Sequence, residues 1–287
     1  MERPAWEWYA MGTTWRVFHS GRTGQADADA VVAQVTADEQ RWSRFRPESE
    51  VSRMSAAGGM PIRVSDETIE LLRACDHWRE ATDGTFSPLV GDAMAAWGYA
   101  NSRDTHPLGS DGSPAAVAIP RDRLVFDREL CLARVPPQSR LDLGGIAKMW
   151  SVRRAAELLA ARCDDPHLLV EAGGDMVAAR GDHTVAVEAP GEHAITVRAG
   201  QGIATSGWSR RHWTNGDGVP AHHLIDPETG APGPRVQATV CADDPIEAEI
   251  AAKVLALRPH GLGETGNAAL VWDGDEVRAN AAWRSAA

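Results

Sequence analysis

The stretch LLVEAGGDMVAARGDHTVAVEAPGEHAITVR, residues 168–198, decides the fold class. Its apolar residues gather near Leu168–Glu171, Thr184–Glu188 and Ala194–Arg198, and each cluster reads as a short strand bounded by Gly, Pro or Asp. The link from Glu188 to Ala194 is too short for a parallel crossover, which needs a dozen or more residues. Neighbouring strands must then pair antiparallel, so the expected class is α+β rather than a doubly wound sheet.

Working outward, the pair Gly144–Gly145 opens a helix of roughly 146–162, preceded by strands near Leu124–Phe126 and Leu130–Ala133. An earlier helix runs from the N-cap Ser65 to Thr82 and is closed by Gly84; Ile69, Leu72, Cys75 and Trp78 recur every three residues on it. Another spans Asp27 to about Trp42, with Ala28, Val31, Val32 and Val35 on one face. Residues 101–123, rich in Gly, Pro, Ser and Asp, read as a surface loop or a linker. Towards the carboxyl end come a helix from Ile246 to Leu257 and a strand pair, Ala268–Trp272 and Glu276–Ala279, joined by an Asp-Gly turn. No internal repeat or low-complexity tract interrupts this.

At 287 residues the chain is one large domain or two, long enough to bury a core without disulfides or metals. With 29 basic against 40 acidic residues the net charge is −11, which argues against nucleic acid as a partner, because phosphate binding needs clustered Lys and Arg. No apolar run reaches the ~18 residues of a membrane span. The opening MERPAWEWYAMGTTW lacks the basic-then-apolar layout of a signal peptide, so a cytoplasmic protein is expected. The four cysteines, Cys75, Cys131, Cys163 and Cys241, show no pairing rhythm and read as buried apolar residues in a reducing compartment. The 10 histidines form no H-E-x-x-H, and the 11 tryptophans read as core and groove lining.

Several stretches hold more Gly, Ser, Thr, Asp and His than a core needs. They are Met11-Gly-Thr-Thr, Arg44-Phe-Arg-Pro-Glu-Ser-Glu-Val-Ser-Arg, Thr82-Asp-Gly-Thr-Phe-Ser-Pro with Trp97-Gly-Tyr after it, Leu141-Asp-Leu-Gly-Gly-Ile-Ala-Lys, Ala172-Gly-Gly-Asp, Thr205-Ser-Gly and His222-His-Leu-Ile-Asp-Pro-Glu-Thr-Gly. Singly, each is an ordinary turn or strand end. Gly-Gly at a helix start also exposes amide donors suited to a phosphate. There is no Walker A loop, no G-x-S-x-G and no G-x-G-x-x-G.

In order, these segments resemble the FAD:protein FMN transferase family, the ApbE-type flavin transferases, which carry M-G-T, R-P-x-S-E-x-S-R, G-x-F with W-G-[FY], L-D-L-G-G-I-A-K, A-G-G-D, T-S-G and H-x-I-D-P-x-T-G. The resemblance runs from about residue 11 to 257, so residues 1–287 are expected to form a single flavin transferase domain. It implies an α+β fold of two intertwined mixed subdomains with the flavin nucleotide in the groove between them. It also implies a magnesium-assisted transfer of FMN from FAD to a Thr or Ser hydroxyl of an acceptor protein, with release of AMP. By the same resemblance FAD is held by Met11, Phe45, Ala96, Trp97, Gly98, Asp142, Lys148 and Ile225, and His223 is the catalytic residue. A planar flavin needs an aromatic face such as Phe45, soft Met11 suits a flat ligand, and an attacking hydroxyl needs a base such as His223. His222 reads as the bystander.

The chain also departs from that pattern. The family holds magnesium through a backbone carbonyl, where Gly145 stands here, and through the Asp and Thr of a run like A-D-A-x-x-T. Here that run is Ala248-Glu-Ile-Ala-Ala-Lys, so Glu249 replaces the Asp and Lys253 the Thr. Glu can still ligate a hard cation, whereas a Lys ammonium has three donors and no lone pair. Ser87 and Leu89 replace the Asp and Thr of G-x-F-D-x-T, and Met149 stands where the family has Gly after the motif Lys. Two alternatives therefore stay open: a non-catalytic FAD-binding protein with a degraded metal site, and an FAD pyrophosphatase giving FMN and AMP.

Overall fold

In the strand Thr13–His19 every second residue from Trp15 is buried, so Trp15, Val17 and His19 form an inward face. This strand pairs antiparallel with Ala5–Ala10 on one side and Leu168–Ala172 on the other. The computed structural model describes residues 5–101 and 117–287. The chain divides into two compact units, the first built from Met1–Asp38, Lys148–Gly207 and Arg235–Ala287, the second from Glu39–Ala147 and Trp208–Pro234.

The first unit holds an 8-stranded sheet in the order Ala5–Ala10, Thr13–His19, Leu168–Ala172, Asp175–Arg180, Gly202–Gly207, Gln237–Ala242, Ala268–Trp272, Val277–Ala279, and each of these neighbours is antiparallel. The α+β expectation holds. A separate hairpin, His183–Val187 with His193–Val197, presents Val185, Val187, Ile195 and Val197 to a core shared with Leu169, Ile203, Leu270 and Trp283. The helix Pro245–Leu257 begins on Pro245 behind the N-cap Asp244, whose side chain accepts from the Ile246 amide. Met149, in the place of the family's Gly, is fully buried and fills core on the helix Ala147–Arg162.

The second unit carries a 3-stranded sheet (Ile62–Arg63, Leu132–Arg134, Val125–Asp127), two short hairpins and the helix Asp66–Ala81. That helix starts as expected: Ser65 accepts from the Thr68 amide, and Gly84, at φ 80, donates to the Arg79 carbonyl at its end. Of the expected loop 101–123, residues 102–116 lie outside the described residues and 117–123 carry no regular structure. No helix among the described residues is long and apolar enough to cross a membrane.

Other expectations need correcting. Val32 lies at the edge of its helix's apolar stripe and is exposed. Cys75 and Cys241 are buried, and burial pushes the Cys241 thiol up to about 11. Cys163 and Cys131 are only half-buried. Cys131 occupies a turn at φ 50, and its thiol lies 3.0 Å from the Asp66 carboxylate. The strands Gly202–Gly207 and Gln237–Ala242 give no alternating signal because they are almost wholly buried, as central strands are.

Asp165 ties the sheet to the loop after Thr13–His19. It is fully buried and accepts from the Ser20 hydroxyl (2.6 Å) and from the amides of Ser20, Arg22 and His167 (2.8–3.1 Å). Burial opposes its ionisation, but these donors outweigh burial and hold the carboxyl below the usual range. Asp165→Asn should cost about 1–3 kcal/mol in urea unfolding at neutral pH. Because the folded value is the lower one, this contribution is complete above the unfolded value near pH ~4 and fades as pH falls through the folded value. The gap between variant and wild type should therefore narrow below about pH 4.

Candidate functional site

Register places three of the quoted motifs at one end of the first unit's sheet. Ala10 pairs with Thr13 across a two-residue turn in which Met11 (φ 51) and Gly12 (φ 71) are both left-handed. Ala172 pairs with Asp175 across a second such turn, Gly173 (φ 59) and Gly174 (φ 99). Trp15 lies opposite Ala172, so both turns emerge at the same end. Ile203 lies opposite Met176, which carries Thr205-Ser-Gly to that end as well. The turns pack closely: a Cβ on Gly173 would run into the Thr13 side chain. A left-handed methionine is strained relative to glycine, and that strain falls on a residue expected to touch the flavin.

Two ion pairs line this end. Lys148 pairs with Asp175, whose side chain is 1% exposed, and also donates to the Ala172 carbonyl at 3.1 Å. Lys253 pairs with Glu249 and lies 3.5 Å from the Ser206 hydroxyl. The residues expected to hold magnesium do not fit it: the Glu249 carboxylate is already engaged by an ammonium, which has no lone pair to ligate with. Among the described residues no group of three or more His, Cys, Asp or Glu could hold a metal ion. Gly145 belongs to the second unit, in the turn before the helix Ala147–Arg162.

The second unit supplies an aromatic cluster built on one guanidinium. The Arg44 guanidinium carbon lies 4.2 Å from the Phe45 ring centroid and 4.8 Å from that of Tyr99. Tyr99 is 5.6 Å from Phe45 and 5.6 Å from Trp213. Arg44 Nε donates to Asp142 at 2.8 Å and another of its nitrogens to the Tyr99 carbonyl at 2.6 Å. The other Asp142 oxygen accepts from the Gly144 amide at 2.7 Å, which fixes the Gly-Gly turn. Ala96 ends the helix Gly91–Ala96, and Gly98 at φ 99 reverses the chain so that Tyr99 enters the cluster. The Trp213 indole donates to the Trp97 carbonyl (2.7 Å), and the Trp97 indole to the Gly230 carbonyl (2.9 Å). Ile225 packs in the same core. Leu89 is fully buried, and Ser87 accepts from its amide, so both departures near Phe86 serve packing.

The two adjacent histidines have different jobs. His222 is buried; its Nδ1 accepts from the Leu224 amide, and its Nε2 lies 2.9 Å from the Gly233 carbonyl, to which it donates. It wedges the loop in place. His223 is half-buried, with Nδ1 3.4 Å from the Arg211 carbonyl. A carbonyl can only accept, so in this contact Nδ1 is the donor. Of the clustered residues, Arg44, Tyr99, Asp175 and Ser206 sit in quoted motifs but were not singled out. Trp213 lies in no motif, and its only signal is the tryptophan excess.

The family model described as "ApbE family" matches residues 11–265, and the chain belongs to that family. It is 26% identical over 240 residues to the FAD:protein FMN transferase of Vibrio cholerae, covering 77% of this chain and 71% of that one. With the FAD:protein FMN transferase of Klebsiella pneumoniae it shares 29% over 264 residues, 83% and 74% of the two chains. The crystal structure of the ApbE protein from Thermotoga maritima superposes with a TM-score of 0.84 at 23% identity, over 98% of each chain. The apo Pseudomonas stutzeri flavinyl transferase ApbE gives 0.81 at 22%, over 99% and 96%.

The contact between the two turns can be tested by substitution. Gly173→Ala and Gly200→Ala both place a side chain at positive φ, but Gly200 has open space around it. Gly200→Ala should cost about 1–2 kcal/mol and Gly173→Ala clearly more, with Thr13→Ala recovering the excess in a double-mutant cycle read by urea unfolding. Equal costs at the two glycines would contradict the packing.

Proposed function

We propose that this protein is an FAD:protein FMN transferase that moves FMN from FAD onto a Thr or Ser hydroxyl of an acceptor protein and releases AMP. Membership of the ApbE family and the names of its relatives support a flavin transferase, and the whole chain is read as one functional domain. The observation that supports the chemistry is the placement of His223, half-buried with Nδ1 3.4 Å from the Arg211 carbonyl, a contact that would hold the ring in one orientation for work as a general base. The acceptor hydroxyl gives its proton to His223 as its oxygen bonds to the FMN phosphorus. The phosphoanhydride bond breaks, and the electron pair leaves with AMP.

The cofactor-binding set is Met11, Phe45, Ala96, Trp97, Gly98, Asp142, Lys148 and Ile225. Phe45 offers a ring already ordered by the Arg44 guanidinium over one face and by the tilted Tyr99 ring beside it, so a stacked flavin would not have to order it. Asp142 uses one bond on each oxygen and keeps further acceptor positions for ribose or adenine hydroxyls. The Lys148 ammonium brings positive charge to the sheet end, partly balanced by Asp175. Unpaired cysteines fit the reducing cytoplasm in which we place the protein. A second reading, an FAD-binding protein without catalysis, is favoured by the Glu249–Lys253 pair alone.

Incubation with FAD, alone and with a protein extract as acceptor pool, separates the readings. Flavin fluorescence that stays on a protein band after denaturation supports transfer. Free FMN plus AMP without an acceptor indicates a pyrophosphatase, and unchanged FAD indicates a binder. His223→Ala should keep FAD and lose about 10²–10⁴-fold in transfer rate; a parallel loss of FAD affinity would move His223 to binding. Phe45→Ala should weaken FAD binding by about 1–3 kcal/mol in calorimetry. Unchanged affinity in a folded variant would remove Phe45 from the site.

A further inference from the structure

The helix Pro245–Leu257 buries an acid and a base one turn apart. Glu249 is 2% exposed and the Lys253 side chain 16%, with Glu on the amino-terminal side, the favourable order for a pair four residues apart. Lys253 donates to Glu249 Oε1 and is directed at the Ser206 hydroxyl, 3.5 Å away. Glu249 Oε2 is buried and has no hydrogen-bond partner among the described residues.

A buried carboxylate needs a counter-charge, and two kinds of cation can supply it: the ammonium already there or a metal ion. They exclude one another. A divalent ion on Oε2 would sit within a few ångströms of the ammonium on Oε1, where like charges repel strongly in a partly desolvated site. Magnesium also asks for a near-octahedral set of oxygen ligands. Glu249 is one carboxylate, and the described residues hold no cluster of three acids, histidines or cysteines that could complete the set.

We propose that the Lys253 ammonium is the resident cation of this end of the sheet, in place of a divalent metal, and that it offers its remaining N–H to an anionic group of the ligand. The second half rests on the flavin reading, in which that group is a phosphate of FAD. An ammonium has three donors, of which Glu249 and Ser206 occupy two. A lysine can serve a phosphate as a fixed point charge. Binding of FAD is then independent of divalent cations, because the positive charge travels with the chain.

The test uses the full chain free of FAD, titrated with manganese and read by electron paramagnetic resonance. The wild type should show no saturable site up to millimolar metal, whereas Lys253→Thr, which releases the Glu249 carboxylate, should gain one. A one-to-one manganese site in the wild type that disappears in Glu249→Gln would overturn the proposal. The ligand half is read by flavin fluorescence. Wild-type affinity for FAD should be the same in EDTA and in magnesium, and Lys253→Gln, which keeps an N–H towards Glu249, should lose about 10–100-fold in both. Unchanged affinity in Lys253→Gln would overturn that half. A wild type that fails to bind FAD at all would sink the flavin reading instead, and the manganese titration would still decide which cation is resident.

Discussion

The antiparallel register of the 8-stranded sheet is the constraint on which the rest depends. Side chains alternate along a strand, so a slip of one residue would turn Trp15 and Val17 out of the core and move every turn at the sheet end. Two left-handed turns, Met11–Gly12 and Gly173–Gly174, fix that register locally, since two-residue hairpins with positive φ at both positions match the strand twist. Their mutual contact then fixes it between hairpins. Glycine at 173 serves the backbone and the packing together, and only a residue without a Cβ can do both.

In the second unit the corresponding role falls to Arg44. Its ion pair with Asp142 is largely desolvated, with side chains 12% and 11% exposed, and removing either partner of such a pair leaves an uncompensated charge. That penalty ties the segment after the helix Gln25–Trp42 to the Gly-Gly turn. The flat guanidinium at the same time braces Phe45 and Tyr99. Arginine rather than lysine is required because the ring contacts and the directed donors use one planar group. One side chain thus orders both an aromatic face and the Gly-Gly turn.

How far the sequence revealed this depended on the physical signal each part leaves. The helix Asp66–Ala81 was legible to within a residue because its cap, stripe and closing glycine are local features. The hairpin over Ala268–Trp272 was legible from its Asp-Gly turn. The strands Gly202–Gly207 and Gln237–Ala242 were not, since burial on both faces erases alternation. The candidate site divides in the same way. Motif order singled out Phe45, Asp142 and His223, whereas Trp213 joins the cluster only through tertiary packing and leaves no trace in spacing. The structural hydrogen bonds of His222 were not legible because two adjacent histidines are the same letter; only their different partners, the Gly233 and Arg211 carbonyls, distinguish them. Lys253 was visible as a departure, but its pairing with a buried Glu249 needed the fold.

The central claim is that the second unit's aromatic cluster and Gly-Gly turn, both ordered by Arg44, bind a flavin nucleotide. Amide hydrogen exchange with and without FAD tests it most directly. Slower exchange is expected at residues 44–45, 97–99 and 142–145, with the hairpin His183–Val187 and His193–Val197 unchanged. Protection confined to residues outside these sets, or no change at saturating FAD, would contradict the account.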